Sequence, residues 1–135
     1  MDASDRLVLT SDLTELGRVR AFVRERAVAA GFGPPALGEI ELAVTEAVSN
    51  VIRHAYGGRT TEEVVVEVAL DHAGLLIEIV DRGETPDDMP DADPDFDDPA
   101  AGGYGLYLIR TVMDEVQRTR EAGGNVLRLR RRRSP

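Results

Sequence analysis

The stretch that decides the fold is residues 36–56, ALGEIELAVTEAVSNVIRHAY. Beside an apolar face, Glu46, Asn50 and His54 follow one another at intervals of four residues, which aligns a carboxylate, an amide and an imidazole along a helix. The apolar residues recur at steps of three and four, the spacing of one helix face; they are Leu37, Ile40, Val44, Ala47, Val51 and Ala55. The stretch therefore predicts a helix that packs on a core and carries a polar stripe at the border.

The polar stripe has two interpretations. Polar residues that border an apolar face usually form the solvated flank of an amphipathic helix. A carboxylate and an amide oxygen one turn apart can instead hold a hard cation or its waters, and the carboxylate can accept a proton. On the second interpretation the helix presents a magnesium-phosphate group to a nucleophile, and other stretches have to supply the rest of that site.

Length and composition indicate one ordinary globular domain. The chain has 135 residues, of which 42% are hydrophobic, and this suits a single core. No apolar run approaches the ~20 residues of a membrane helix, and the acidic start MDASDRLVLT is unlike a signal peptide. The absence of cysteine excludes disulfides and thiolate metal sites. We expect one domain over residues 1–135, no membrane partner and a cytoplasmic location.

The charge is acidic overall and unevenly distributed. A net charge of -9 argues against direct nucleic-acid binding, because phosphates would be repelled. Residues 84–98 combine Glu84 with seven aspartates and contain no basic residue. Two arginine groups are each either a solvated surface or a docking face for an acidic partner, and the C-terminal group could also touch a nucleic acid. The groups are Arg18, Arg20, Arg24 and Arg26 on the first predicted helix, and Arg128, Arg130, Arg131, Arg132 and Arg133 at the C-terminus.

The remaining stretches complete an α+β pattern. Their periodicity and turn residues predict strands and helices in a clear order. In chain order these are a strand at 5–10, a helix that Ser11 or Asp12 caps and Gly31 ends, the organising helix, a hairpin of strands at 63–70 and 75–81, a helix at 106–116, and strands near 117–121 and 125–131. This order predicts a two-layer α/β sandwich with helices on one side of a mixed, mainly antiparallel sheet.

A long segment, residues 84–103, separates the hairpin from the third predicted helix. It contains four prolines and few apolar residues, so it predicts neither a helix nor a strand. Segments of this length inside a compact domain are usually lids or binding loops. The alternative is a disordered insert without a function.

Glycine-containing motifs flank that segment on both sides. Asp81 ends a buried strand, where its carboxylate can accept a hydrogen bond from an exocyclic amine such as that of adenine, and Gly83 lets a base lie against the backbone. Gly103 and Gly105 open the third helix, whose free N–H groups and dipole can hold phosphates. Each motif alone is unspecific, because the first is also an ordinary turn and the second fits neither the Walker A pattern nor the dinucleotide fingerprint.

Taken in order, three stretches resemble the N, G1 and G2 boxes of the GHKL ATPase superfamily. They are EAVSNVIRHAY, DRG and GYGLYLIRTVMDEV. Within that superfamily, the short single-domain form and the sequences HAY and MDEV are most similar to the bacterial anti-sigma factors that are serine-protein kinases. The resemblance extends from the first helix to the last strand. It implies the Bergerat ATP-binding fold, with residues 84–103 as the ATP lid.

The resemblance also implies a role for each matching position. Glu46 matches the general base that acts on the substrate serine, and Asn50 matches the ligand of Mg²⁺. Asp81 and Gly83 match the adenine contacts. The other members of the implied ATP-binding set are His54, Gly103, Tyr104, Gly105 and Leu106. Such proteins are homodimers that sequester a sigma factor and phosphorylate an anti-anti-sigma protein of the STAS type.

Two departures from the family pattern stand out. The chain has no lysine or arginine between Arg82 and Arg110, and Tyr104 stands where arginine is common in relatives. Phosphoryl transfer depends on neutralising the developing charge, so the alternative function is a catalytically weak or inactive module that regulates by sequestering its partner. Asn125 stands where relatives often have a threonine near the base.

Overall fold

The computed structural model describes residues 3–83 and 104–133 of the chain. Its elements in chain order are β1 (Ala3–Thr10), a 3₁₀ turn (Leu13–Glu15), α1 (Leu16–Ala29), α2 (Ala36–Asn50), a π-helical turn (Val51–Ala55), β2 (Glu63–Asp71), β3 (Gly74–Asp81), α3 (Tyr104–Val112), β4 (Glu115–Glu121) and β5 (Gly124–Arg132). The predicted order of strands and helices is confirmed. The predicted lid, residues 84–103, lies outside the described residues.

The strands form one five-stranded sheet in the order β1-β2-β3-β5-β4. Within the described residues, all neighbouring strands pair antiparallel. The sequence predicted a mixed, mainly antiparallel sheet, and the described part is antiparallel throughout. Period-two alternation in β2 and β3 buries one face of the hairpin, because Val64, Val66, Ile77 and Ile79 have no exposed surface. The α+β sandwich is confirmed.

Helix α2 is the centre of the helical layer, since it contacts both α1 and α3. Its apolar face follows the predicted spacing. Every residue of that face is buried, including Val51 and Ala55 in the π-helical turn. Because the buried face is fixed in this way, the border with Glu46 and Asn50 stays at the edge of the core and partly accessible.

The residues that flank α1 show how the helix begins and ends. Asp12 caps the preceding 3₁₀ turn, because its carboxylate accepts a hydrogen bond from the Thr14 N–H at 2.9 Å. Ser11 is fully buried instead, and its hydroxyl accepts from the Glu62 N–H at 3.0 Å. At the other end Gly31 has a φ of +94°, a left-handed conformation that glycine adopts without strain and that commonly closes a helix.

The third helix is shorter than the sequence predicts. The prediction of helix through Val116 was wrong, because α3 ends at Val112 and Val116 lies in β4. The N–H of Asp114 donates to the Arg130 carbonyl at 2.8 Å, and the N–H of Arg132 donates to the Asp114 carboxylate at 2.7 Å. These bonds draw the chain onto the sheet one turn earlier than its apolar spacing suggests.

Most of the C-terminal arginines are paired with carboxylates inside the domain. The bonds join β5 to other strands of the sheet or to the helical layer: Arg128 to Glu78 at 3.1 Å, Arg130 to Asp71 at 2.9 Å, Arg131 to Glu39 at 3.5 Å and Arg132 to Glu115 at 3.0 Å. This compensation favours a structural role for the group over a docking role.

The arginines of α1 are more exposed. Their ion pairs include those of Arg18 with Glu15, Arg24 with Glu41 and Arg26 with Asp5. Across the described ranges, no helix combines the length and the apolar character that a membrane crossing would need.

Candidate functional site

The polar border of α2 meets the first turn of α3. A Cβ atom on Gly105 would lie 2.9 Å from Oε2 of Glu46, and 3.1 and 3.3 Å from Nδ2 and Oδ1 of Asn50. Both side chains are partly buried, and neither forms a hydrogen bond or ion pair within residues 3–83 and 104–133. Two unpaired polar side chains therefore converge on the beginning of a helix.

The chemistry of this junction suits a metal-bound anion. The first N–H groups of an α-helix lack intrahelical partners, and the helix dipole adds positive potential there. Asn50 offers an amide oxygen, which is a ligand type that Mg²⁺ accepts. Glu46 offers a carboxylate that is able to take a proton, because no described neighbour occupies it. Because Gly105 has no side chain, Glu46 and Asn50 can approach the start of α3 this closely.

Asp81 is the second polar group of the candidate site. It ends β3 and is only 5% exposed. Its Oδ1 accepts hydrogen bonds from the Gly83 N–H at 2.8 Å and from the Asn125 amide at 2.9 Å. Oδ2 has no partner in the part of the chain that the structure describes. Because no fully buried side-chain polar atom there lacks a partner, Oδ2 retains some accessible surface, and this makes it the candidate acceptor for a ligand.

Gly83 joins the strand with Asp81 to the helix with Asn50. A Cβ atom on Gly83 would lie 2.7 Å from the carbonyl carbon and 2.8 Å from the Cβ of Ala55, in the turn that follows α2. No side chain fits in that space. The two polar parts of the candidate site are thus held at the same end of the sandwich.

Tyr56 reinforces this junction. Its hydroxyl donates to the Glu63 carbonyl at 2.6 Å and accepts from the Arg82 N–H at 2.8 Å. Burial raises the pKa of Tyr56, which favours the protonated form that the bond to Glu63 needs. The segment that follows Asp81 is therefore tied to the end of the α2 region by a side chain and by close packing.

His54 is separated from the cluster by the π-helical turn. The N–H of Tyr56 bonds to the Val51 carbonyl, five residues back, at 3.0 Å, whereas an α-helix bonds four residues back. The wider turn interrupts the four-residue repeat that aligned His54 with Glu46 and Asn50 in the sequence. His54 is exposed, so its binding role stays a prediction without a described contact to the cluster.

The other predicted site residues lie around α3. Tyr104 is the first residue of that helix, Leu106 is buried at 5% exposure, and Gly103 lies outside the described residues. The sequence did not indicate Arg120, which bonds the Oδ1 of Asn125 at 3.1 Å. The available signal was the short turn at Gly123-Gly124, which pairs residue 120 with residue 125 across the hairpin.

Residues 9–131 match the family model of the histidine kinase-like ATPase domain. The chain belongs to this family of ATP-binding domains, as the resemblance to the GHKL superfamily predicted. Among its curated relatives is the serine-protein kinase RsbW of Listeria monocytogenes serovar 1/2a, 31% identical over 106 residues that cover 73% of this chain and 68% of the relative. RsbW of Bacillus pumilus is 32% identical over 121 residues, which cover 82% of this chain and 75% of the relative.

Solved structures show the same fold. The RsbU and RsbW domains of a Mycobacterium tuberculosis protein superpose with a TM-score of 0.70 and 23% identity, over 98% of this chain and 33% of that one. The histidine kinase domain of an Erythrobacter litoralis blue-light activated histidine kinase gives a TM-score of 0.54 and 21% identity, over 87% and 58% of the respective chains. The present chain thus spans about a third of the first structure and over half of the second.

Proposed function

We propose that this chain is an ATP-dependent protein serine kinase that acts as an anti-sigma factor. The convergence of Glu46 and Asn50 on Gly105 at the start of α3 carries the proposal. An unpaired carboxylate beside a helix N-terminus suits the transfer of a phosphoryl group to a hydroxyl. The curated relatives that are named serine-protein kinases support the same reaction.

Each described residue of the site has a chemical task in this proposal. Glu46 accepts the proton of the incoming serine hydroxyl. The N–H groups at the start of α3 bind the phosphates. Asn50 would hold Mg²⁺, because its amide has no partner in the described chain and borders that helix. The ion would offset the charge of the phosphates. Asp81 accepts a hydrogen bond from the adenine amine through its open Oδ2.

The partners and setting of the chain are part of the proposal. The serine belongs to an anti-anti-sigma protein of the STAS type, and the chain sequesters a sigma factor while that protein is phosphorylated. It works as a homodimer in the cytoplasm. The excess of carboxylates, with a net charge of -9, favours a protein partner over a nucleic acid.

A second candidate function is regulation by sequestration with weak or no catalysis. The absence of lysine and arginine between Arg82 and Arg110 favours it. A cationic group near the transferred phosphate stabilises the transition state, and its loss slows transfer much more than it weakens ATP binding. This candidate therefore keeps ATP as a ligand and loses turnover.

Transfer of labelled γ-phosphate from Mg-ATP to a STAS-domain partner tests the kinase proposal. We expect transfer by the wild type and a loss of about 10²–10⁴-fold in Glu46→Gln, with unchanged ATP affinity in calorimetry. Glu41→Gln is the matched control on the same helix, because within the described residues Glu41 forms a hydrogen bond and an ion pair only with the exposed Arg24.

Three results separate the candidates. Transfer by the wild type that Glu46→Gln abolishes supports the kinase. Equal transfer by wild type and Glu46→Gln contradicts the role of Glu46 as the base. Binding of Mg-ATP without any transfer by the wild type supports the second candidate instead.

A further inference from the structure

Three polar side chains form a chain of hydrogen bonds across neighbouring strands. Asp81 of β3 faces Asn125 of β5, and Asn125 faces Arg120 of β4. Nη1 of Arg120 donates to Oδ1 of Asn125 at 3.1 Å. Nδ2 of Asn125 donates to Oδ1 of Asp81 at 2.9 Å and to the Gly83 carbonyl at 3.2 Å. These hydrogen bonds connect the exposed Arg120 to the Asp81 carboxylate, which is the candidate contact for the adenine base.

Arg120, Asp81 and Gly83 together fix which way the Asn125 amide points. A guanidinium group can only donate hydrogen bonds, so it holds the amide oxygen toward Arg120. The amide nitrogen must then face the Asp81 carboxylate and the Gly83 carbonyl, which can only accept. A flipped amide would place donor against donor and acceptor against acceptor. Asn125 is 5% exposed, so water offers little compensation for such a flip.

This arrangement leaves Asp81 with one open acceptor. Oδ1 receives the Asn125 amide and the Gly83 N–H, while Oδ2 is the oxygen without a partner in the described chain. The two strands approach closely here, because a Cβ atom on Gly124 would lie 2.8 Å from the Asp81 carbonyl oxygen. The direction in which Asp81 offers Oδ2 is therefore set by Asn125 and, through it, by Arg120.

We propose that Arg120 and Asn125 are positioning residues that set the base specificity of the nucleotide site. They aim the free Oδ2 of Asp81 at a donor on the ligand, and this selects a purine with an amino group at its 6-position. A purine with a carbonyl there would place acceptor against acceptor, and one with only hydrogen there would lose the bond. The inference rests on the proposed function, since it assumes that the site binds ATP.

Calorimetry with two nucleotides tests the inference. Mg-ATP and the magnesium complex of purine riboside triphosphate, which lacks the 6-amino group, are titrated into wild type, Asn125→Ala and Arg120→Ala. The readout is the ratio of the two affinities. We expect Asn125→Ala to lower the preference for ATP about tenfold and Arg120→Ala to lower it about threefold, while the affinity for the analogue changes less than about twofold.

Matched variants control for charge and for general damage. Gln117→Ala removes an exposed amide from β4, and Arg20→Ala removes an exposed arginine from α1; both should keep the wild-type ratio. Arg120→Lys retains a donor and should recover part of the preference. Thermal unfolding checks that each variant is folded, and the exposed Arg120 supplies a second test if Asn125→Ala fails to fold.

The outcomes are distinct from those of the kinase assay. A wild type that prefers ATP and an Asn125→Ala or Arg120→Ala variant with the same preference overturn the positioning role and leave the ATP site intact. Equal weakening of both nucleotides also overturns it. A wild type that binds neither nucleotide overturns this inference together with the proposed function. A selective loss of ATP affinity supports the proposed role.

Discussion

Gly105 and Glu46 are so close that a Cβ atom on residue 105 would lie 2.9 Å from the carboxylate oxygen Oε2 of Glu46. The same atom would lie 3.1 Å from Nδ2 of Asn50. These neighbours are the ends of side chains, which can move aside at little cost to the backbone. The lack of a side chain at residue 105 therefore matters more for ligand binding at the start of α3 than for the stability of the fold.

Gly105→Ala should remove nucleotide binding while the protein stays folded. The added methyl group displaces Glu46 and Asn50 from the start of α3 and occupies part of the volume that a phosphate needs. We expect Mg-ATP affinity to fall at least about tenfold, and the free energy of unfolding to change by less than about 1 kcal/mol, because alanine also favours the helix. Calorimetry and urea denaturation measure the two effects.

Gly17→Ala is the control for this substitution. Gly17 lies in α1 with no neighbouring atom within 4 Å of an added Cβ. That variant should bind ATP like the wild type and be slightly more stable, by about 0.5–1 kcal/mol. An unchanged ATP affinity in Gly105→Ala would show that the phosphates bind elsewhere.

Local sequence patterns predicted most of the helices and strands. The α2 face could be predicted because its apolar residues recur at steps of three and four, and each of them is buried. The β2–β3 hairpin could be predicted because its valines and isoleucines alternate with other residues. The end of α3 could not, since Met113 continues the helical spacing. The competing bonds of Asp114 come from residues 130 and 132, which are distant in sequence and leave no local signal.

The positions of candidate site residues could be predicted where those residues belong to a sequence motif. They were harder to predict where the position depends on tertiary packing. Asn50 and Gly105 lie together as their motifs suggest. The π-helical turn that separates His54 from them depends on how the chain packs after Asn50. The spacing of apolar residues does not predict this turn. Arg120 was missed because its partner, Asn125, is identified only by strand register.

Tyr56→Phe should destabilise the protein by about 1–3 kcal/mol, because the buried hydroxyl serves two backbone groups that would lose their partner. These are the Glu63 carbonyl and the Arg82 N–H. The phenyl ring still fills the same space, so packing is retained. Since the hydroxyl also fixes the backbone after Asp81 through its bond to the Arg82 N–H, the affinity for ATP should fall as well. Urea denaturation and calorimetry give the two values.

Thr111→Val provides the comparison for Tyr56→Phe. It also removes a hydroxyl that bonds a backbone carbonyl, that of Tyr107 at 2.8 Å, but on the exposed side of α3. Its effect on unfolding should stay within about 0.5 kcal/mol. If Tyr56→Phe were as mild as this control, the hydroxyl would not be a structural link.

Asp71→Asn should make the unfolding free energy less dependent on pH in the acid range. Arg130 holds Asp71 through bonds of 2.9 and 3.1 Å. These bonds lower the pKa of the Asp71 carboxyl from its ordinary value of 3.8. A carboxyl with a lower pKa in the folded state stabilises the protein fully above the unfolded pKa, and this stabilisation is lost as the pH falls through the folded pKa.

The comparison of wild type with Asp71→Asn across pH isolates that charge. Asparagine can still accept the turn bonds from Ala73 and Gly74, so the loss is confined to the pair with Arg130, namely its charge attraction and the bond to Oδ2. Wild type should be the more stable at about pH 7, and the difference should shrink as the pH falls below about 4. Glu67→Gln breaks a more exposed pair with Arg6 at 3.7 Å and should stay within about 0.5 kcal/mol of wild type. A difference between wild type and Asp71→Asn that stays constant down to low pH would mean that the Asp71 charge does not stabilise the fold.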